Sequence, residues 1–238
     1  MATQTSTRPP VRRMPRDQRV ATIMQTAREV LRERGYEQFL TSEVAERCGI
    51  SEGTIYKYFA SKRDLLIRVA EAWFDEFLAQ EPPSRQNRPL RDRLFHVIYA
   101  SLATIRREPA LSRFVLMDLR ADPNYRKMRV FEQNRQVTAY VMDVIEEGVR
   151  RGELRGDFSM KLVRDIIFGG IEHQTWAFLR GEGEFSIEEA ADGLTDVVLR
   201  GIGAHVHQPE PIDVTEALSR LETVTNALQG ELTALRKS

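Results

Sequence analysis

Tyr56, Lys57 and Tyr58 stand side by side after a run of small or polar residues, Ser51-Glu52-Gly53-Thr54. Two phenols and an ammonium group, with hydroxyls just before them, can donate to phosphate oxygens and reach base edges, including the thymine methyl. They contain no nucleophile paired with a base, and the rest of the chain supplies none. Its four histidines are His96, His173, His205 and His207, and none belongs to an H-E-x-x-H pattern. C-x-x-C, glycine-rich phosphate loops and G-x-S-x-G are also missing. His205-Val-His207 is half a metal site at best, without thiolate or carboxylate partners nearby. Glu146-Glu147 and Glu188-Glu189 are neighbours on helices and so point apart. The chemistry expected is therefore binding, with no cofactor and no catalytic residue. An all-helical enzyme of unassigned chemistry and a non-specific structural DNA binder are the rival readings.

The elements that must hold these side chains can be read from local signals. Val20, Ile23, Ala27, Val30 and Leu31 mark one face of a first helix that ends at Gly35. Thr41 is placed to cap a short second helix, whose small Val44-Ala45 face lets another helix cross closely. Gly49 permits a tight turn, Ile50 plugs the junction, and Ser51 is placed to cap a third helix running to about Phe59. In that helix Ile55 and Phe59 face inward, leaving Tyr56, Lys57 and Tyr58 outside. Its first turn is slim enough for a major groove about 12 Å wide. Ser61, with Asp64 three residues on, opens a fourth helix through Leu65, Val69, Trp73 and Phe77.

Residues 17–77 strongly resemble the DNA-binding domain of TetR-type (tetracycline-repressor-like) regulators. The match comprises Gly35-Tyr36, the stretch from Leu40 to Phe59, LTSEVAERCGISEGTIYKYF, and the trailing Ser61-Lys62 with Leu65-Leu66. By that resemblance Thr41, Tyr56 and Lys62 contact phosphates. Ser51, Glu52, Gly53, Thr54, Lys57 and Tyr58 lie where bases or backbone are contacted. The resemblance also implies an all-α chain whose C-terminal part dimerises and holds an inducer pocket. Its output would be transcription regulation, repression above all, from double-stranded operator DNA.

Proline and glycine divide the remainder. Residues 1–16 read as a basic disordered arm, and the polar, proline-rich stretch 82–89 as a joint. Residues 82–202 read as the ligand-binding and dimerisation domain, and 203–238 as a linker with a possible coiled-coil helix. Periodic runs near 90–107, 109–120, 124–151, 159–180 and 186–202 predict a helical bundle, the last with Ile187, Ala190, Leu194, Val197, Val198 and Ile202 on one stripe. The two apolar helices at 159–202, with Gly169-Gly170 for close approach, are expected to form a two-fold interface. Phe95, Tyr99, Phe114, Met117, Tyr140, His173 and Trp176 are the candidate pocket residues, with plain core packing the competing role for each. The stretch Phe168 to Trp176 is similar to the equivalent helix of family members that respond to fatty acyl-CoA, which suggests a lipophilic effector. Leu218, Leu221, Thr225, Leu228, Leu232 and Leu235 keep heptad spacing, so the segment 214–236 could join further copies or dock on its own body.

Composition agrees with this organisation. The 238 residues are 42% apolar and 29% charged, with zero net charge. The charge is uneven, however: residues 1–69 carry five more basic than acidic groups. One cysteine, Cys48, no apolar run of membrane length and no signal-peptide pattern point to a cytoplasmic protein without membrane contact.

Overall fold

The computed structural model describes residues 14–80, 88–204, 218–219 and 221–226. The basic arm up to residue 13, most of the proline-rich joint, His205, His207 and the later heptad leucines lie outside the described residues. Nine α-helices order residues 16–202: α1 (Arg16–Arg34), α2 (Thr41–Arg47), α3 (Glu52–Ile55), α4 (Lys62–Leu78), α5 (Leu90–Arg107), α6 (Pro109–Arg113), α7 (Arg129–Arg150), α8 (Met160–Leu179) and α9 (Ile187–Ile202). A π-helical segment, Phe114–Leu119, continues directly from α6, and a 3-10 turn, Tyr125–Lys127, precedes α7. One isolated antiparallel bridge, Leu154 to Gly203, pins the end of α9 to the turn between α7 and α8.

Several predicted boundaries have visible causes. Gly35 (φ 73°) returns its N–H to Leu31 O at 2.9 Å, closing α1 in a conformation that a Cβ would disfavour. At α4 the Asp64 N–H donates to Ser61 Oγ (3.0 Å) while Asp64 accepts from the Ala60 N–H (2.8 Å). Two predicted caps differ. Thr41 lies inside α2, which has Leu40 at its cap position, and its side chain is buried and turned inward. Ser51 holds the cap position of α3, but its Oγ meets Thr54 Oγ1 at 2.9 Å instead of a backbone N–H. The third helix is also shorter than expected, giving way to turns after Ile55. In α9 the core face is carried by Ala190, Ala191, Thr195, Val198 and Ile202, whereas Val197 points outward.

The core forms two clusters that do not divide at the proline-rich joint. The first gathers Ile23, Ala27, Val30 and Leu31 of α1, Val44 of α2, Ile55, Phe59 and the buried face of α4. It also takes in Leu111, Phe114, Val115, Leu119, Tyr125 and Val130, which come from beyond the joint. The second is built from α5, α7, α8 and α9, through Leu94, Ile98, Leu102, Val144, Ile145, Ile167, Ile171, Ala191 and Val198.

A polar seam follows the first cluster. Glu108 precedes Pro109, and its backbone (φ -130°, ψ 62°) leaves the helical region there, as suits a residue before proline. Its carboxylate is almost fully buried and accepts from Arg28 (3.0 Å) and Arg32 (2.6 Å) of α1. Arg28 also reaches Glu76 of α4 at 2.8 Å. Arg63 pairs with Asp122 (2.8 Å), Arg113 with Glu37 (2.7 Å) and Arg129 with Asp75 (2.8 Å), so α1, the turn after it and α4 are tied repeatedly to residue 108 and the segments beyond it. Removing one partner of a buried pair leaves the other desolvated, although Arg32 is about half exposed and can recover water. Glu108→Gln should therefore cost about 2 kcal/mol in urea unfolding at fixed chain concentration, and a change near zero would mean that the clamp adds no stability.

Candidate nucleic-acid interface and effector cavity

The recognition turn is anchored from below. Gly49 (φ 63°) turns the chain out of α2, the Ile50 N–H donates to Ala45 O at 3.0 Å, and Ile55 and Phe59 plug the core. Ser51, Glu52, Gly53, Tyr56 and Lys57 are left exposed, with Thr54 and Tyr58 half-buried. They form one continuous outward surface, and the Arg16 guanidinium lies 5.9 Å from the Tyr58 ring centroid. That places the last arginine of the basic arm beside the recognition turn, a contact the motif alone does not give.

The three residues expected to contact phosphates, Thr41, Tyr56 and Lys62, are engaged inside the protein. The Tyr56 hydroxyl lies 3.3 Å from Thr41 Oγ1 and 3.4 Å from Glu52 Oε1, so it braces α3 against α2 while its ring stays open to solvent. Lys62 donates to the carbonyls of Phe39 (2.8 Å) and Tyr36 (3.2 Å) and sits over both of their rings. Its ammonium thus holds the turn between α1 and α2, with one of its three N–H bonds left over. That structural work offers a local reason for a cation in the first turn of a helix, where the dipole disfavours one.

Gly53 is informative because nothing inside the molecule requires it. Its φ is not positive, and a Cβ built there meets no atom within 4 Å. A glycine at such a helical position is about 1 kcal/mol less favourable than alanine. A gain from letting an external surface approach the backbone would offset that cost.

Behind the turn lies a cavity of about 90 Å³. Its walls come from α4 (Trp73, Phe74, Phe77), α5, the π-helical segment (Val115, Leu116), α7 and α8 (Phe168, Ile171). Arg120 and Glu172 are its charged residues and are ion-paired to each other. The cavity sits where the two core clusters meet, since Phe74 and Val115 belong to the first and Ile171 to the second.

None of the seven sequence-selected pocket residues lines this cavity. Phe114 is fully buried and stacks on Tyr36 at 5.0 Å, within the first cluster. Phe95 and Tyr99 pair with each other at 5.7 Å, and the Tyr99 hydroxyl reaches Glu188 at 3.3 Å. Tyr140 stacks at 6.5 Å on Phe77, itself a wall residue, and Met117 is half-buried beside the lining pair Val115 and Leu116. His173 and Trp176 are exposed on α8, where the Arg180 guanidinium covers the Trp176 ring at 5.5 Å. The aromatic wall residues missed on α4 are Trp73, Phe74 and Phe77. Their signal was the apolar run of α4, which continues well past Val69.

The family model for bacterial regulatory proteins of the tetR family matches residues 23–69, and that for the tetracyclin repressor-like C-terminal domain matches residues 87–202. The fatty acid metabolism regulator protein of Bacillus subtilis is 23% identical over 181 residues, covering 76% of this chain and 93% of that one. The HTH-type transcriptional repressor KstR2 of Mycobacterium tuberculosis is 23% identical over 188 residues, covering 76% and 90%. Among solved structures, the transcriptional regulator FadR from Bacillus subtilis in complex with stearoyl-CoA superposes with a TM-score of 0.65 at 23% identity, over 76% of this chain and 98% of that one.

Gly53→Ala separates folding from binding. The substitution should leave stability unchanged or raise it by up to about 1 kcal/mol, and yet weaken specific DNA binding by at least about tenfold. Thermal unfolding and fluorescence anisotropy on the same preparation would test both halves. Undiminished DNA affinity would remove Gly53 from the interface.

Proposed function

Since the chain belongs to the TetR family of bacterial regulatory proteins, we propose that it is a cytoplasmic repressor that binds an inverted-repeat operator as a homodimer and is released by a lipophilic acyl effector. The observation that carries this reading is the double duty of α4. Its first turn supports the recognition turn through Lys62, and its second half forms a wall of the cavity. At about 90 Å³ the cavity is well below the roughly 300–1,000 Å³ of pockets that enclose a drug-sized ligand. A long chain could enter only by spreading the walls, and α4 is one of them. The aromatic and aliphatic lining suits an acyl chain, and the relative solved with stearoyl-CoA supports that choice.

Dimerisation is assigned to the outer faces of α8 and α9. Leu162 (58% exposed), Ile166 (47%), Trp176 (45%) and Val197 (64%) are large apolar side chains left open on these two helices. Leu162, Ile166, Gly169, His173 and Trp176 follow one another at steps of four and three, a continuous seam on α8. Gly169 and Gly193 have open space at their Cβ positions, so a partner helix could approach closely there. Gly170, by contrast, faces inward against Leu194 of the same chain.

Footprinting on the DNA upstream of the chain's own coding sequence, at two salt concentrations and with competitor DNA, tests the regulator reading. A protected inverted repeat that a long-chain acyl-CoA releases is the expected result. Protection that vanishes uniformly with salt would instead mark non-specific binding. Coupling must also be reciprocal, so operator DNA should weaken effector binding by the same factor. Val197→Glu should leave each chain folded but yield monomers in sedimentation equilibrium, with specific DNA affinity lost. A dimer that persists would move the interface elsewhere.

A further inference from the structure

The cavity wall is apolar except for one ionic contact. Arg120 closes the π-helical segment and pairs with Glu172 on α8. Both face the cavity, and among its lining residues they are the one cation and the one anion. The other polar wall groups are mostly spoken for: the Ser101 and Thr104 hydroxyls bond back to Val97 O (2.9 Å) and Ala100 O (2.7 Å). Ser112 is different. It lines the cavity at 2% exposure, and its Oγ has no hydrogen-bond partner among the described residues. The Tyr125 hydroxyl, also buried, lies beside Arg120.

A guanidinium in an apolar wall is matched to a planar or tetrahedral oxyanion, which it can bind with two parallel N–H bonds. Glu172 occupies that role from a side chain 38% exposed, so it can swing into water at modest cost when another anion takes its place. A neutral lipophile has no such exchange to make. We propose that Arg120 is the head-group receptor of the effector cavity, that Glu172 is a displaceable place-holder, and that the effector is an aliphatic chain bearing an anionic head, carboxylate or phosphate. This rests on the cavity being the effector site.

The position of Arg120 also explains how the head group is felt at the DNA. Two residues on, Asp122 accepts from Arg63 (2.8 Å), in the first turn of α4 beside Lys62. The Asn124 N–H, and Arg63 with it, hold the Asp122 carboxyl below the usual carboxylate range, so this link stays ionised at neutral pH. Capture of an anion at Arg120 therefore acts within three residues of a contact to the DNA-binding head, whereas an apolar tail acts only through the second half of α4.

Trp73 reports on the cavity directly. With Trp176, assigned above to the dimer face, left in place, the ligand-dependent change in tryptophan emission can be titrated with oleate, oleoyl-CoA and methyl oleate, without DNA. The expected result is that oleate or oleoyl-CoA binds about tenfold or more tightly than methyl oleate. Arg120→Gln should abolish that preference while leaving methyl oleate binding as it was, and Arg120→Lys should restore part of it. Glu172→Gln, which keeps Arg120 in place, should tighten the anion several-fold. Tighter binding of oleate than of oleoyl-CoA assigns the head to a carboxylate, and the reverse order assigns it to the phosphates. Equal affinity for all three ligands, or a preference that survives Arg120→Gln, overturns the head-group assignment while leaving the lipid cavity standing. No change in tryptophan emission with any of them overturns the lipid-cavity reading, and the assignment with it.

Discussion

Leu111, Phe114, Val115 and Leu119 lie in the same apolar cluster as the helices that carry the recognition turn. Close-packed side chains cannot slide past one another without opening a void or a clash, so a segment that shares a core with another moves with it. The segments from residue 109 to 130 are therefore mechanically part of the DNA-binding head, although they follow the proline-rich joint in the chain. The ion pairs from Arg28 and Arg32 to the buried Glu108, and from Arg63 to Asp122, reinforce the same union with directional contacts. This enlarged head and the bundle of α5, α7, α8 and α9 meet along α7, which gives Val130 to the first cluster and Val144 and Ile145 to the second. The cavity occupies that junction.

This arrangement states what an effector has to do. It shifts an equilibrium only by as much as it favours one state over the other, and couplings in such systems amount to about 1–3 kcal/mol. A filled cavity that holds Phe74 and Val115 farther from Ile171 would supply that difference through lost and gained packing alone. No wire of contacts across the molecule is needed. The wall and the lever are the same helix, since α4 begins under the recognition turn and carries Phe77 of the cavity wall near its end.

The DNA-binding head was legible in the sequence because its signals are local. Gly35, Gly49, the Ser61–Asp64 cap and the inward pair Ile55 and Phe59 each act within a few residues, and each is found where spacing placed it. Thr41 and Ser51 were read less well, because a hydroxyl near a helix start has partners other than a backbone N–H: Tyr56 for one, Thr54 for the other. The cavity was not legible. An aromatic residue on a periodic helix fits a core, a cavity wall or a protein–protein face equally well, and only the packing of chain-distant helices decides among them. Phe114 went to the core and Trp176 to the outer face. The wall drew on Trp73, Phe74 and Phe77, from a helix that sequence reasoning had assigned wholly to the DNA-binding unit.

The π-helical segment Phe114–Leu119 lends the wall a further property. A π turn is an α-helix accommodating one residue too many; such turns are rare and often lie at functional sites. Each residue of an α-helix turns the chain by about 100°, so if the widened turn relaxed, the side chains after it, up to the helix end at Arg120, would rotate by roughly that angle. Val115 and Leu116 now present themselves to the cavity, with Met117 next in line. Between one register and the next there is no comfortable intermediate, because staggered side chains in a dense interior have discrete seats. A change of register in such a wall would move its side chains by whole residues, like a ratchet, where an ordinary helix would merely bend.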